Sequence, residues 1–347
     1  MKKILYLMSA ACLMTAWTVS MEAQPGVKTR PDKTVFLYLD EPAAVSDIVT
    51  GKEMEALGLE MKVENGLSGN ENIPDNGNIG NISDKARFDL YFPKKPNGQM
   101  VIVCPGGGYT IVSSYNEGVY VADWMTSHGV TVAVAKYRLP NGHWTVPLDD
   151  IHEIFRYCRA HAEEWGISQI GVMGFSAGGH LAASATTLYT DSTTRPDFSI
   201  LIYPVIAMDN VPSHVGSKNY LMGNDEAWSS TEGKSADEWI AAQDLHGDLI
   251  RKYSLYNNVT EDTPPVFLAH CSDDNTVPVI NSIVFYEALK GKGHNPEMHI
   301  YPTGGHGWGF STVEYTGHDG IGYARQEFFN SLDRWLESVG EESFSGK

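Results

Sequence analysis

The feature that most constrains the fold of this chain is a repeated alternation between short, continuously apolar runs and amphipathic segments. MVIVC (100–104) and VTVAVA (130–135) are β-branched strand signals, and a helical segment from Val119 to His128 lies between them. RFDLYF (87–92), ahead of both, alternates apolar and polar positions. The stretch LDDIHEIFRYCRAHAEEWG then puts Ile151, Ile154, Phe155, Cys158, Ala162 and Trp165 on one helical face, and the strand IGVMGF follows. The pattern continues as helix 177–189, strand 199–205, strand 266–270, helix 279–291, strand 297–302 and helix 323–338. A strand that is apolar along its whole length is buried on both faces, and crossover helices supply the cover. The predicted fold is therefore one α/β domain over residues 85–340, with a mostly parallel central sheet and helices on both faces. Between Val205 and Pro264 the alternation lapses into polar, Gly- and Ser-containing sequence with one helix predicted near 235–252. Residues 206–262 read as an insertion over the C-terminal edge of the sheet.

Ahead of the domain, residues 64–84 are rich in Gly and Asn, so 24–84 reads as a loop-rich lead-in. In residues 1–23, Lys2 and Lys3 precede an apolar run from Ile4 to Val19, with Ala23 as the small residue at the cleavage position. That is a secretory signal peptide pattern, and it predicts a secreted or periplasmic protein. The apolar run is shorter than the ~20 residues a membrane span needs.

The balance of 25 basic to 43 acidic residues, net −18, argues against nucleic acid or an anionic membrane as partner, since both need clustered Lys and Arg. Removing residues 1–23 leaves Cys104, Cys158 and Cys271, an odd number in apolar surroundings. They read as small buried hydrophobes rather than a disulfide framework or thiol catalysts. No zinc-type spacing of His, Cys or acidic residues is present, so no metal or other cofactor is predicted.

Chemistry concentrates where strands end. Gly174-Phe175-Ser176-Ala177-Gly178 is a G-x-S-x-G motif between a strand and a helix, the context in which a serine is held in a strained turn with its Oγ exposed above the sheet. Serine needs a base to take its proton, and the base needs a group to orient it. The loop Ser272-Asp273-Asp274-Asn275-Thr276-Val277-Pro278 leaves a strand at the same edge, so one of Asp273 and Asp274 is the candidate orienter. The chain order Ser, Asp, His leaves His294, His299, His306 and His318 as bases. His294 lies in a turn at the opposite edge and His299 inside a strand, whereas His306 follows a strand's C-terminal end in the glycine loop Thr303–Trp308. His306 is the prediction, with His318 as its rival. His180, within the helix after the serine, reads as a packing histidine.

Pro105-Gly106-Gly107-Gly108-Tyr109 follows another strand end. The amides of Gly107 and Gly108, with that of Ala177, are candidate donors to a tetrahedral oxyanion. A dinucleotide register fails because Ile111 stands where G-x-G-x-x-G needs its last glycine. The aromatics Tyr109, Tyr115, Tyr137 and Trp308 flank these loops, and Tyr109 and Trp308 are candidate substrate contacts, since aromatic faces suit sugar rings.

With PGGGY, GFSAGGH, SDDNTVP and GGHGWG in this order, the chain resembles secreted bacterial α/β-hydrolase esterases of the acetyl-xylan esterase kind, near the hormone-sensitive-lipase-like group. The likeness runs from about Arg87 to Trp335 and includes Asn116-Glu117-Gly118 and Tyr137-Arg138-Leu139-Pro140. It implies Ser176 as nucleophile, His306 as base and Asp274 as acid, because the family's acid stands three residues before the Val of Val-Pro. Pro105 replaces the histidine that precedes the glycines in the lipase-like group, which favours the carbohydrate-esterase side. The resemblance implies a serine esterase acting through an acyl-enzyme on small acyl esters of plant polysaccharides. Feruloyl, lipid or peptide specificity on the same residues is the alternative, and a non-catalytic carbohydrate-binding relative is a further one.

Overall fold

The computed structural model describes residues 30–38, 78–80, 82, 86–310 and 319–345. The signal-peptide segment 1–23 lies outside the described residues, as do most of 24–84 and His318. Ten strands are described: β1 (Lys33–Phe36), β2 (Asn78–Gly80), β3 (Arg87–Tyr91), β4 (Gln99–Cys104), β5 (Ile111–Ser113), β6 (Thr131–Lys136), β7 (Gln169–Phe175), β8 (Ser199–Ile202), β9 (Val266–Cys271) and β10 (Glu297–Tyr301). The helices are α1 (Tyr120–Ser127), α2 (Val146–Trp165), α3 (Ser176–Thr187), α4 (Val215–Met222), α5 (Asp225–Ser229), α6 (Ala236–Tyr253), α7 (Ile280–Gly291) and α8 (Arg325–Ser345).

Eight strands form one sheet in the order β1-β3-β6-β4-β7-β8-β9-β10. From β6 to β10 every pairing is parallel, while β1 and β3 are antiparallel additions at one edge. The buried runs explain the layering, since successive side chains of a strand point to opposite faces. In β4, Met100, Ile102 and Cys104 pack with residues of α2, α3, α6 and α7 on one face. Val101 and Val103 pack on the other face with Val121 and Met125 of α1 and with Phe328, Leu332 and Trp335 of α8. Each fully buried side chain of this kind contributes about 1.5–3 kcal/mol. Helix boundaries follow local chemistry: Pro147 sits in the first turn of α2, and Gly166 ends it in a left-handed conformation (φ 66°). Helix α6 starts with a capping box between Ser235 and Glu238.

Three departures from the sequence reading matter. Residues before 85 do contribute to the sheet, because β1 pairs with β3 and buries Val35. A second ribbon, β2 with β5, places Ile79 opposite Val112 beside the glycine-rich loop. Both segments are too short to show a clear period. The strand expected over 199–205 stops at Ile202, since Tyr203 takes a positive φ of 38° and Pro204 follows. The helix expected from Val119 is preceded by a π turn, Tyr115–Val119, a rare element that often marks functional sites. In the stretch 206–262, read as an insertion, α4, α5 and α6 form, and no helix among the described residues is long and apolar enough to cross a membrane.

Candidate active site

Because β4 and β7 to β10 are parallel, their C-terminal ends share one edge of the sheet, and the loops after Cys104, Phe175, Ile202, Cys271 and Tyr301 converge there. Ser176 stands where β7 turns into α3, with φ 53° and 7% exposure. A left-handed backbone at a non-glycine residue costs on the order of 1–3 kcal/mol and persists only where its surroundings enforce it. Here the enforcement is close approach: a Cβ on Gly174 would lie 2.1 Å from the Gly178 carbonyl oxygen, and one on Gly178 would lie 2.1 Å from that of Cys104. The glycines around Ser176 let strand, turn and helix come within backbone contact.

The Ser176 Oγ is 2.8 Å from His306 Nε2. His306 Nδ1 is 2.6 Å from Asp274 Oδ2, while Asp274 Oδ1 accepts from the amides of Thr276 (2.9 Å) and Val277 (2.8 Å). An ionised carboxylate only accepts, so the network assigns the neutral imidazole's proton to Nδ1 and leaves Nε2 to receive the serine proton. Burial pushes the Asp274 carboxyl up, but hydrogen bonds from His270 and His306 and from the Val277 amide outweigh it and hold the group well below the usual carboxylate range. His270, fully buried, directs Nε2 at the Val277 carbonyl (2.9 Å) and lies 3.3 Å from Asp274 Oδ2. The neighbouring Asp273 does different work: it accepts from the amides of Gly305 (2.8 Å) and Gly304 (3.3 Å) and shapes the loop that carries His306.

The other histidines are placed elsewhere. His294 Nε2 meets the Thr260 carbonyl at 2.7 Å, and His299 pairs with Glu297 at 2.8 Å. His180 is buried between the Tyr109 hydroxyl (2.8 Å) and the Tyr253 carbonyl (2.9 Å), the packing role read from the sequence.

In the loop after β4, Gly107 and Gly108 have φ of 126° and 65°, and the turn is closed by the Thr110 amide on the Gly107 carbonyl (3.0 Å). The Gly106 amide is already committed, donating to Glu117 Oε2 at 2.7 Å. That leaves the amides of Gly107 and Gly108, with Ala177 at the start of α3, as the backbone donors nearest in sequence to the site. The expected substrate contacts of Tyr109 and Trp308 need correction. Tyr109 is 1% exposed and Trp308 is fully buried, with its ring edge-on to Tyr203 at 5.0 Å and to Phe328 at 5.1 Å. Tyr115 is half-buried, whereas Tyr109 and Trp308 lie in the interior, where their area stabilises the loop bases. Tyr137 likewise is buried and donates to the Pro105 carbonyl at 2.7 Å.

Tyr203 and His214 gave no signal in the sequence, and Asn116 and Glu117 entered only through the family likeness, without a role. Tyr203 donates to Glu117 Oε1 (2.8 Å) and accepts from the Gly309 amide (2.9 Å). Asn116 Nδ2 donates to the Gly307 carbonyl at 2.8 Å. His214, from the insertion, caps α4 by accepting the Ser217 amide on Nδ1 (3.1 Å), and a Cβ on Gly108 would stand 3.5 Å from its Cε1. Burial and the nearby His306 push its basicity down. Cys104, Cys158 and Cys271 are buried free thiols, and burial raises the Cys271 thiol to about 12. Among the described residues no group of three or more His, Cys, Asp or Glu is arranged to hold a metal ion.

The BD-FAE family matches residues 88–289, ending before His306. An acetylxylan esterase of Xylanibacter ruminicola is 37% identical over 265 residues, which are 75% of this chain and 50% of that protein. Endo-1,4-beta-xylanase B of Butyrivibrio fibrisolvens is 29% identical over 244 residues, 65% of this chain and 35% of that one. The chain thus spans half or less of these relatives. Among solved structures, an acetyl ester-xyloside bifunctional hydrolase from Caldicellulosiruptor lactoaceticus superposes with a TM-score of 0.58 at 33% identity, covering 74% of this chain and 89% of that one. A Thermogutta terrifontis esterase with bound butyrate has the same fold, with a TM-score of 0.56 at 22% identity over 75% of this chain and 91% of its own.

Proposed function

The chain belongs to the BD-FAE family and has an α/β-hydrolase fold, and on that premise we propose that it is a serine esterase removing small acyl groups, acetyl above all, from xylan-type polysaccharides or their oligosaccharides. The observation that carries the proposal is the unbroken hydrogen-bond chain from Ser176 through His306 to Asp274 at the C-terminal edge of the sheet. The choice of acetyl esters of xylan rests on the names of the relatives, an acetylxylan esterase and an acetyl ester-xyloside hydrolase.

In this mechanism His306 Nε2 takes the Ser176 proton as Oγ attacks the ester carbonyl. The carbonyl oxygen becomes an oxyanion that accepts from the amides of Ala177 and of Gly107 or Gly108. Losing one such donor typically costs about 2.7–4 kcal/mol of transition-state stabilisation. Collapse of the tetrahedral intermediate breaks the bond to the alcohol oxygen, which leaves with the proton from His306. Water then attacks the acyl-serine, His306 takes its proton, and the carboxylic acid departs as Ser176 is regenerated. Asp274 keeps the imidazole in the required tautomer and stabilises its charged form.

The Ser176→Ala variant tests the core of this proposal. It should fold as the parent does, with an unchanged circular dichroism spectrum, and lose hydrolysis of p-nitrophenyl acetate and acetate release from acetylated xylan. Parent-like turnover by that variant would reject the nucleophile. Faster release of ferulate from methyl ferulate than of acetate from acetylated xylan would reject the acyl specificity while leaving the serine chemistry in place.

A further inference from the structure

Glu117 is a carboxylate at 4% exposure that the mechanism above does not use. Burying a carboxylate is costly, and a buried charged or polar network is weak grounds for expecting added stability. Its two oxygens, moreover, serve two different loops. Oε2 accepts from the Gly106 amide at 2.7 Å, at the base of the glycine loop whose next two amides are the candidate oxyanion donors. Oε1 accepts from the Tyr203 hydroxyl at 2.8 Å, and that hydroxyl accepts from the Gly309 amide at 2.9 Å, in the loop that carries His306. The Tyr203 ring also lies against the His306 imidazole, with ring centres 4.8 Å apart.

The backbone at both ends of this link is unusual. Glu117 sits within the π turn, and Tyr203 has a positive φ of 38° directly after β8, a conformation that a bulky residue adopts only under constraint. Beside it, Asn116 makes a parallel tie, donating from Nδ2 to the Gly307 carbonyl and accepting the Phe310 amide on its own carbonyl at 3.2 Å. The π turn thus holds the glycine loop directly through Glu117 and the histidine loop directly through Asn116, while Glu117 reaches the histidine loop through Tyr203.

We propose that Glu117, acting through Tyr203, is a positioning residue that holds the oxyanion loop and the His306 loop at one fixed separation while the ester carbonyl becomes tetrahedral. The inference rests on the serine-esterase reading. Oxyanion donors and general base come from loops about 200 residues apart in the chain, and a misplacement of about 1 Å between such groups can cost on the order of 100-fold in rate. The Glu117→Gln variant keeps the shape but cannot satisfy both partners. With its NH₂ towards Gly106 two donors meet, and with its NH₂ towards Tyr203 the hydroxyl loses the acceptor for its own proton. Tyr203→Phe deletes only the hydroxyl in the middle.

The test is a double-mutant cycle with E117Q, Y203F and the pair, measured on p-nitrophenyl acetate alongside thermal unfolding. Each single variant should lose about 10- to 100-fold in kcat with KM within about two-fold of the parent, the signature of an interaction that matters in the transition state. The pair should lose no more than the worse single variant, because both changes cut one link. Unfolding midpoints should not follow the same pattern. Folded variants with parent-like kcat, or losses that multiply in the pair, would overturn the inference. If E117Q fails to fold, Y203F alone decides: lost kcat at unchanged KM supports the link and unchanged kcat refutes it. A parent protein without Ser176-dependent turnover would sink the esterase reading, and this inference with it.

Discussion

At the scale of single residues, two adjacent carboxylates have opposite assignments. Asp274 contacts His306 at 2.6 Å, while Asp273 accepts only loop amides from Gly304 and Gly305. Asp274→Asn offers an amide where the imidazole needs an acceptor and would stabilise the wrong tautomer, so kcat should fall by about 10⁴. Asp273→Asn keeps a carbonyl oxygen for one amide and should cost about 1 kcal/mol of stability with less than about ten-fold in kcat. Steady-state kinetics on both variants check this, and equal losses would contradict the assignment. Strand placement alone left either aspartate open, because both leave the same strand end one residue apart, and only the family spacing to Val277-Pro278 favoured Asp274. Geometry separates them through the two amides, of Thr276 and Val277, that seat the Asp274 carboxylate. Tyr109 and Trp308 show the converse: their position near the site was legible, but not that their rings face the core.

At the scale of elements, the strand-turn-helix at Ser176 is the most legible part of the molecule, since its residue types answer a steric demand within five positions. Gly178 shows how narrow that demand is. A Cβ there would overlap the Cys104 and Pro105 carbonyl oxygens at 2.1 and 2.4 Å, backbone atoms that cannot rotate away. Gly178→Ala should therefore force β4 away from α3. We expect loss of at least about 2 kcal/mol of stability, by the overpacking such an insertion causes, with activity falling further than stability. Urea unfolding and p-nitrophenyl acetate turnover would measure both, and a parent-like variant would show that the close approach is not required. Helices α1, α2, α3, α6 and α7 were read to within a few residues because their apolar faces repeat over several turns, whereas α8 runs seven residues past its expected end and the short α4 and α5 were not anticipated. The ribbons β1 and β2, four and three residues long, offer no such repetition and take their conformation from the strands they join.

Across the whole molecule, burial has a consequence for pH. His180 is fully enclosed, and burial pushes its pKa down to about 4, so the folded protein keeps the ring neutral where an unfolded chain would charge it near 6.5. Between those values the unfolded state binds the extra proton. Stability from this group is complete above about pH 6.5 and is lost progressively as pH falls towards 4. His152, lowered to about 4 by burial and Arg156, acts in the same direction. The unfolding midpoint should drop as pH is lowered from 7 to 4.5, and the drop should be shallower in His180→Gln. An identical slope in that variant would exclude His180 as a source.

What the chain settles locally is its layering and the residue types at its turns. Apolar period and glycine placement act through neighbours a few positions apart, so they can be read without knowing the fold. Which groups meet across the sheet edge is another matter. Glu117 reaches Gly106 across 11 positions and Tyr203 across 86, and His306 reaches Ser176 across 130. Contacts at those separations depend on strand order and on the angles at which loops leave the sheet. Those are properties of the packed whole, since each buried hydrogen bond there exists only because the apolar layers beneath it have excluded water.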